Sequence, residues 1–185
     1  DVADPAQVEA LVAFAVERTG GLHLMVNNAG IGGPAAVTGE YPVEGWDKVI
    51  AINLSGVFHG MRFALPAIER SGGGAIVNMA SILGSVGFAQ SGAYVAAKHG
   101  VVGLTKTAAL EYGTRGVRIN AVGPGFIRTP LLDQNLDQAT MDYLASIHAV
   151  KRMGTAEEVS ALTCFLLSRE ASFVTGSYHL VDGGY

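Results

Sequence analysis

The chain has 185 residues, a net charge of −4 and 49% hydrophobic residues against 15% charged ones, so it is long enough for one domain with a substantial core. No basic cluster stands out among its 12 Lys and Arg, which argues against nucleic-acid recognition through phosphates. Its only cysteine, Cys164, rules out an internal disulfide and suits a reducing compartment, so a cytoplasmic location is expected.

In chain order, Asp4-Pro5 with Gln7 reads as the start of a helix: Asp as N-cap, Pro in the first turn, Gln where a capping box wants it. Val8, Leu11, Val12, Ala15 and Val16 continue at helical spacing until Thr19-Gly20-Gly21 stops them. Leu22 to Asn27 is a short apolar run between turn residues, which predicts a buried strand, and a glycine-rich loop follows from Ala29 to Gly39. Val43 to Ile68 carries a long helical pattern through Trp46, Val49, Ile50, Leu54, Val57, Phe58, Met61 and Leu65. Gly74 to Ser81 predicts a second strand, Ser91 to Tyr112 a second long helix, and Val117 to Gly125 a third strand entering a Pro-Gly turn. The stretch 126–151 reads as irregular or weakly helical. Its apolar residues (Leu131, Leu132, Leu136, Met141, Tyr143, Leu144) suggest a lid over a mostly apolar pocket. Thr155 with Glu158 forms a capping box for a helix to Leu167, and Ser177 to Gly184 predicts a last strand. Strands alternating with helices imply one domain, 1–185, of α/β class with a parallel sheet covered on both faces.

The run from Ser71 to Ala97 has no charged side chain, yet six glycines, four serines, Asn78 and Gln90 interrupt it. A bilayer span needs about 20 mostly apolar residues, so no transmembrane segment is expected there. No signal peptide is read. The histidines His23, His59, His99, His148 and His179 lack metal-ligand spacing, so no metal is expected, and His99 is assigned to packing or surface. Cys164, on an apolar helix face, is expected to be a buried structural thiol. Gly32-Gly33 and Gly72-Gly73-Gly74 lack the strand-to-helix context of a phosphate loop.

The uncharged run ends with Tyr94 and Lys98. On a helix these share one face, about 5–6 Å apart at Cβ. An ammonium beside a phenol favours the phenolate, and a tyrosine tuned toward neutrality can give or take a proton. Ser81 falls at the carboxyl end of one predicted strand, between strands ending in Asn27-Asn28-Ala29-Gly30 and Pro124-Gly125. Carboxyl ends are where ligands bind in open parallel sheets.

With Asn27-Asn28-Ala29-Gly30, Asn53, Ser81, Tyr94-x-x-x-Lys98 and Pro124-Gly125 with Thr129 in order, the sequence resembles the classical short-chain dehydrogenase/reductase (SDR) family along essentially its whole length. The resemblance implies a Rossmann-type, doubly wound sheet binding NAD or NADP, and hydride transfer between that cofactor and a secondary alcohol or ketone. It makes Tyr94 the general acid/base and lets Ser81 hold the substrate oxygen. Lys98 would bind the nicotinamide ribose and lower the tyrosine pKa, and Asn53 would hold a water that relays protons to Lys98. It further assigns Asp1 and Val2 to the adenine, and Asn28, Ala29 and Gly30 to the adenosine ribose. Pro124, Gly125, Ile127 and Thr129 would then surround the nicotinamide. A homodimer or homotetramer through the long helices is also implied.

The family's glycine-rich fingerprint and its NAD/NADP-selecting residue are absent from these residues. The resemblance therefore places two βα units and a third strand, about 60 residues, before Asp1. Their absence also keeps an alternative open, a non-catalytic relative serving as a binding or assembly subunit. The Asn-Asn-Ala-Gly form and the short C-terminal region argue against an epimerase or dehydratase.

Overall fold

The computed structural model describes residues 1–129, 132 and 137–185. Leu131 and Leu136, part of the expected lid, lie outside the described residues, as do residues 130 and 133–135.

Helix α1 (Pro5–Thr19) starts where the sequence puts it, with the Asp4 carboxylate accepting from Ala6 N at 2.9 Å. The expected capping box does not close. Gln7 spends its amide on the Asp4 side chain (2.9 Å) and its carbonyl on the Asp1 amine (2.6 Å), so it does not reach the Asp4 backbone N–H. Gly20 ends the helix at φ 78°, a left-handed conformation natural to glycine.

Strand β1 (Leu24–Asn27) leads to helix α2 (Val43–Ile50), a π-helical turn (Ala51–Ser55) and helix α3 (Gly56–Arg70). The single long helix of the sequence reading is therefore one continuous rod with an extra-wide turn centred on Asn53. By length and composition the 28-residue rod could cross a bilayer. Here Val57, Met61, Ala64, Leu65 and Ile68 are packed into the core.

Strand β2 (Gly74–Met79), helix α4 (Gly92–Tyr112) and strand β3 (Val117–Pro124) follow. After them come helix α5 (Gln138–Ser146), helix α6 (Ala156–Leu167) and strand β4 (Tyr178–Val181). Within the 126–151 stretch, the described residues Gln138–Ser146 form one short helix. Asp137 caps α5 by accepting from Thr140 N at 2.8 Å, and Leu144 is buried. The predicted box of α6 closes in both directions between Thr155 and Glu158.

Among the described residues the sheet is four-stranded and parallel, in the order β1-β2-β3-β4. Period-two alternation sends Ile76, Val117, Ile119 and Ala121 to the face covered by α3 and α4, and Val77 and Val122 to the face covered by α6. Among the described residues no strand pairs with the outer edge of β1, where Leu24 and Val26 are exposed.

Among the described residues each face carries a polar network, buried on one side and half-buried on the other. Toward α3 and α4, Asn27 Nδ2 donates to Asn78 Oδ1 (2.8 Å), and Asn78 Nδ2 donates to Thr105 Oγ1 (2.9 Å). On the other side, the Arg118 guanidinium donates to the carbonyls of Leu166 (2.7 Å), Leu167 (3.4 Å), Ser168 (2.8 Å) and Val174 (3.5 Å). One cation thus joins the carbonyls of Leu166, Leu167 and Ser168 at the C-terminus of α6, where a positive charge is favoured, to that of Val174.

Cys164 is a correction: it is exposed. The buried residues of α6 are Thr163 and Leu166, with Val159 and Leu162 packed beside them, and one residue's rotation of about 100° carries position 164 off that face.

Candidate active site

The register aligns the carboxyl ends of the strands: Asn27 pairs with Asn78, Met79 with Val122, and Pro124 with Val181. Ser81 lies two residues beyond β2. Its hydroxyl accepts from Leu83 N at 3.2 Å, capping a short 3₁₀ turn, so the chain stops there and the side chain stays at the strand mouth. Helix α4 begins at Gly92, which puts Tyr94 in its first turn and Lys98 one turn on. The Lys98 ammonium lies 5.4 Å from the centre of the Tyr94 ring. The Ser81 hydroxyl lies close enough to Tyr94 to act on its phenol.

Burial is the largest influence on Tyr94 and pushes its phenol up; the Ser81 hydroxyl pulls it the other way. Burial also lowers Lys98, to about 8. The lysine is almost wholly enclosed, and one of its N–H groups donates to the Met79 carbonyl at 2.8 Å. A lysine ammonium has three N–H groups, so the donor set suits a pair of neighbouring hydroxyls such as those of a ribose.

Asn53 is fully buried. Its amide donates to the Ile31 carbonyl (2.7 Å) and accepts from Ile31 N (2.8 Å), so it clamps the loop after β1. This accounts for an asparagine in mid-helix, and π-turns of this kind are frequent at functional sites. A side chain at Gly30 would place its Cβ 3.3 Å from Asn53 Oδ1 and 3.7 Å from Lys98 Nζ. The bare glycine therefore leaves a path to the ammonium, and this cradle too fits a nucleotide ribose. Asn28, Ala29 and Gly30 are all exposed along that loop.

Pro124 ends β3 opposite Val181 of β4, Gly125 N donates to the Val181 carbonyl at 3.1 Å, and Ile127 and Thr129 follow. Gly154 holds this segment, donating to the Phe126 carbonyl (3.0 Å) and accepting from Arg128 N (2.9 Å). Val2 is tied to α3, where His59 Nδ1 meets its carbonyl at 3.0 Å and its side chain packs against Gly56, while the Asp1 carboxylate accepts from Ala3 N at 2.9 Å. His99 bonds back to the Val95 carbonyl at 3.0 Å and is exposed, consistent with its surface assignment.

Three residues that the sequence did not single out belong to this surface. Tyr178 reaches from β4 across β3 and donates to the Ser81 carbonyl. A Cβ on Gly123 would come within 2.5 Å of the Tyr178 ring, so glycine in the strand interior was the available signal of a close approach. Phe88, in the loop joining Ser81 to α4, contacts Phe126 at 6.0 Å between ring centres. His148 is buried beneath Phe126. Among the described residues no group of three His, Cys, Asp or Glu gathers as for a metal.

The profile of the family described as Enoyl-(Acyl carrier protein) reductase matches residues 1–185. Cyclohexanol dehydrogenase of Acinetobacter sp. (strain SE19) is 51% identical over 185 residues, covering 100% of this chain and 72% of that protein. Levodione reductase of Leifsonia aquatica is 42% identical over 191 residues, again covering 100% of this chain and 72% of the relative. A crystal structure of levodione reductase superposes with a TM-score of 0.95, covering 99% of this chain and 74% of that one. The structure titled ElxO with NADP bound gives a TM-score of 0.95 at 38% identity, covering 100% of this chain and 75% of that one.

Proposed function

The chain belongs to the short-chain dehydrogenase/reductase family, and from that premise we propose that Tyr94, Ser81 and Lys98 perform the proton chemistry of alcohol–ketone interconversion. The protein is an NAD(P)-dependent oxidoreductase of a doubly wound, Rossmann-type fold that acts on alcohols and ketones. The relatives named above are enzymes, so they lend nothing to a non-catalytic subunit.

The observation that carries the assignment is the enclosed triad of hydroxyl, phenol and ammonium at the mouth of β2. In the oxidative direction Ser81 orients the substrate hydroxyl and Tyr94 Oη accepts its proton; in reduction Tyr94 returns the proton to the ketone oxygen. The nicotinamide, when bound, supplies the hydride chemistry. Lys98 donates to the ribose hydroxyls, and its charge favours the tyrosinate against the burial that opposes it. Asn53 serves the proton relay by holding the Ile31 loop beside Lys98. Asn28, Ala29 and Gly30 line the adenosine ribose, Asp1 and Val2 the adenine, and Pro124, Gly125, Ile127 and Thr129 the nicotinamide.

The substrate is a mostly apolar, cyclic secondary alcohol. Support comes from the Phe88–Phe126 pair between the two loops and from the likeness to cyclohexanol dehydrogenase. Helix α5 acts as the lid. The exposed apolar residues Val43, Trp46 and Phe58 support pairing of α2 and α3 across subunits in a dimer or tetramer. The single free thiol supports a cytoplasmic setting, and the acidic balance supports neither nucleic acid nor membrane as partner.

Tyr94→Phe tests the reading, with cyclohexanol and each nicotinamide cofactor in turn. The phenol's proton transfer is worth roughly 10²–10⁴-fold in kcat, while NAD(P)H binding should survive. Turnover at the wild-type rate would sink the assignment.

A further inference from the structure

We infer that His148 is a positioning residue for the segment that follows Pro124-Gly125, an inference that rests on the cofactor and substrate roles given to that segment above. His148 is only 1% exposed. Both of its ring nitrogens are engaged: Nε2 accepts from the Phe126 backbone N–H at 3.2 Å, and Nδ1 meets the Leu144 carbonyl at 2.7 Å. A carbonyl only accepts and a backbone N–H only donates, so the ring is the neutral Nδ1–H tautomer. It joins the turn after β3 to the last residues of α5.

The contact is close enough to set the path of the backbone. A Cβ on Gly125 would come 2.8 Å from His148 Nε2 and 2.9 Å from Asp182 Cα, so only glycine lets the chain lie against the ring. Aromatic contacts fix the ring on its other sides: Phe126 stands edge-on at 5.9 Å, and Tyr185, the last residue of the chain, lies 5.9 Å from both His148 and Phe126. The chain next to the ring is held as well, with Ala149 N and Val150 N donating to the carbonyls of Gly184 and Gly183, each at 3.1 Å. Gly125 and Ile127 are thereby fixed on either side of a hydrogen-bonded Phe126. Phe126 in turn reaches Phe88 on the loop that carries Ser81.

Two substitutions separate this role from simple support of α5. Glutamine presents its terminal amide at the position of Nε2 and can accept from Phe126 N–H, whereas asparagine presents its amide at the position of Nδ1 and can serve only Leu144. NADH and NADPH are titrated separately by their fluorescence, and kcat and KM are measured with cyclohexanol. His148→Leu should weaken cofactor binding about tenfold and raise KM more than it lowers kcat. His148→Gln should recover most of the loss, and His148→Asn should not. Recovery by asparagine, or wild-type binding and KM in His148→Leu, would overturn the inference.

A measurement on the wild-type protein needs no variant to fold. Histidine ¹⁵N NMR should show His148 as Nδ1–H with an unprotonated Nε2, and an Nε2–H signal would overturn the geometry. If the wild-type protein binds neither cofactor, the functional reading falls and the positioning role with it. If it binds but His148→Leu binds equally well, the positioning role alone falls.

Discussion

At the scale of single residues, Lys98 sets function against stability. Its folded-state value of about 8 lies below the 10.5 of the free side chain. Between those two values the unfolded chain binds more protons than the native one, so stability rises with pH across that window. Below about 8 the whole cost of burying the ammonium stands. Lys98→Met should therefore stabilise the fold at pH 7. The gain is up to about 3 kcal/mol from the removed charge, less about 1 kcal/mol for the Met79 carbonyl left without its donor. Urea melts should show that advantage shrinking as pH is raised toward 10.5, where both proteins bury a neutral side chain. The same variant should lose turnover. A pH-independent difference between the two proteins would refute the assignment of cost. Tyr94, Lys98 and Ser81 were legible because their signals are local: one helical turn between two side chains, and one strand end. His148 and Tyr178 were not, because their partners stand 22 and 97 residues away and only the folded sheet brings them together.

At the scale of elements, turn chemistry is legible in the sequence except at Asp4–Gln7, whose capping box does not close, and backbone irregularity is not. The Thr155–Glu158 box and the Gly20 stop depend on a few adjacent residues and appear as expected. The π-turn at Ala51–Ser55 is not legible in the apolar spacing, because apolar residues at i+3 and i+4 on both sides of Asn53 read as one continuous α-helix. Cys164 was misplaced because a helix face was judged by composition, and the core takes a narrower stripe than the apolar residues of α6 offer. The π-turn carries a prediction. Asn53→Ala removes both bonds to Ile31 and should cost about 2 kcal/mol. Limited proteolysis should then cut between Ala29 and Gly39 faster than in the wild type. An unchanged cleavage pattern would show that the loop is held by other means.

At the scale of the molecule, alternation of apolar strands and helices made the parallel sheet readable, while the order of its strands and the polar networks that lock its two faces were not. Asn78 and Arg118 look like any polar residues in a strand until helices are laid over them. The Arg118 guanidinium, shared among four carbonyls, has a consequence for how the protein opens. Helix α6 cannot fray at its C-terminal end without stripping a half-buried cation of its acceptors, so its last turn and the strand beneath it share one opening event. Amide hydrogen exchange should therefore find α6 and β3 in a single slow class with a common free energy. In Arg118→Met that class should split, with Leu166, Leu167 and Ser168 exchanging early through fraying of the helix end while Ile119 to Val122 stay protected.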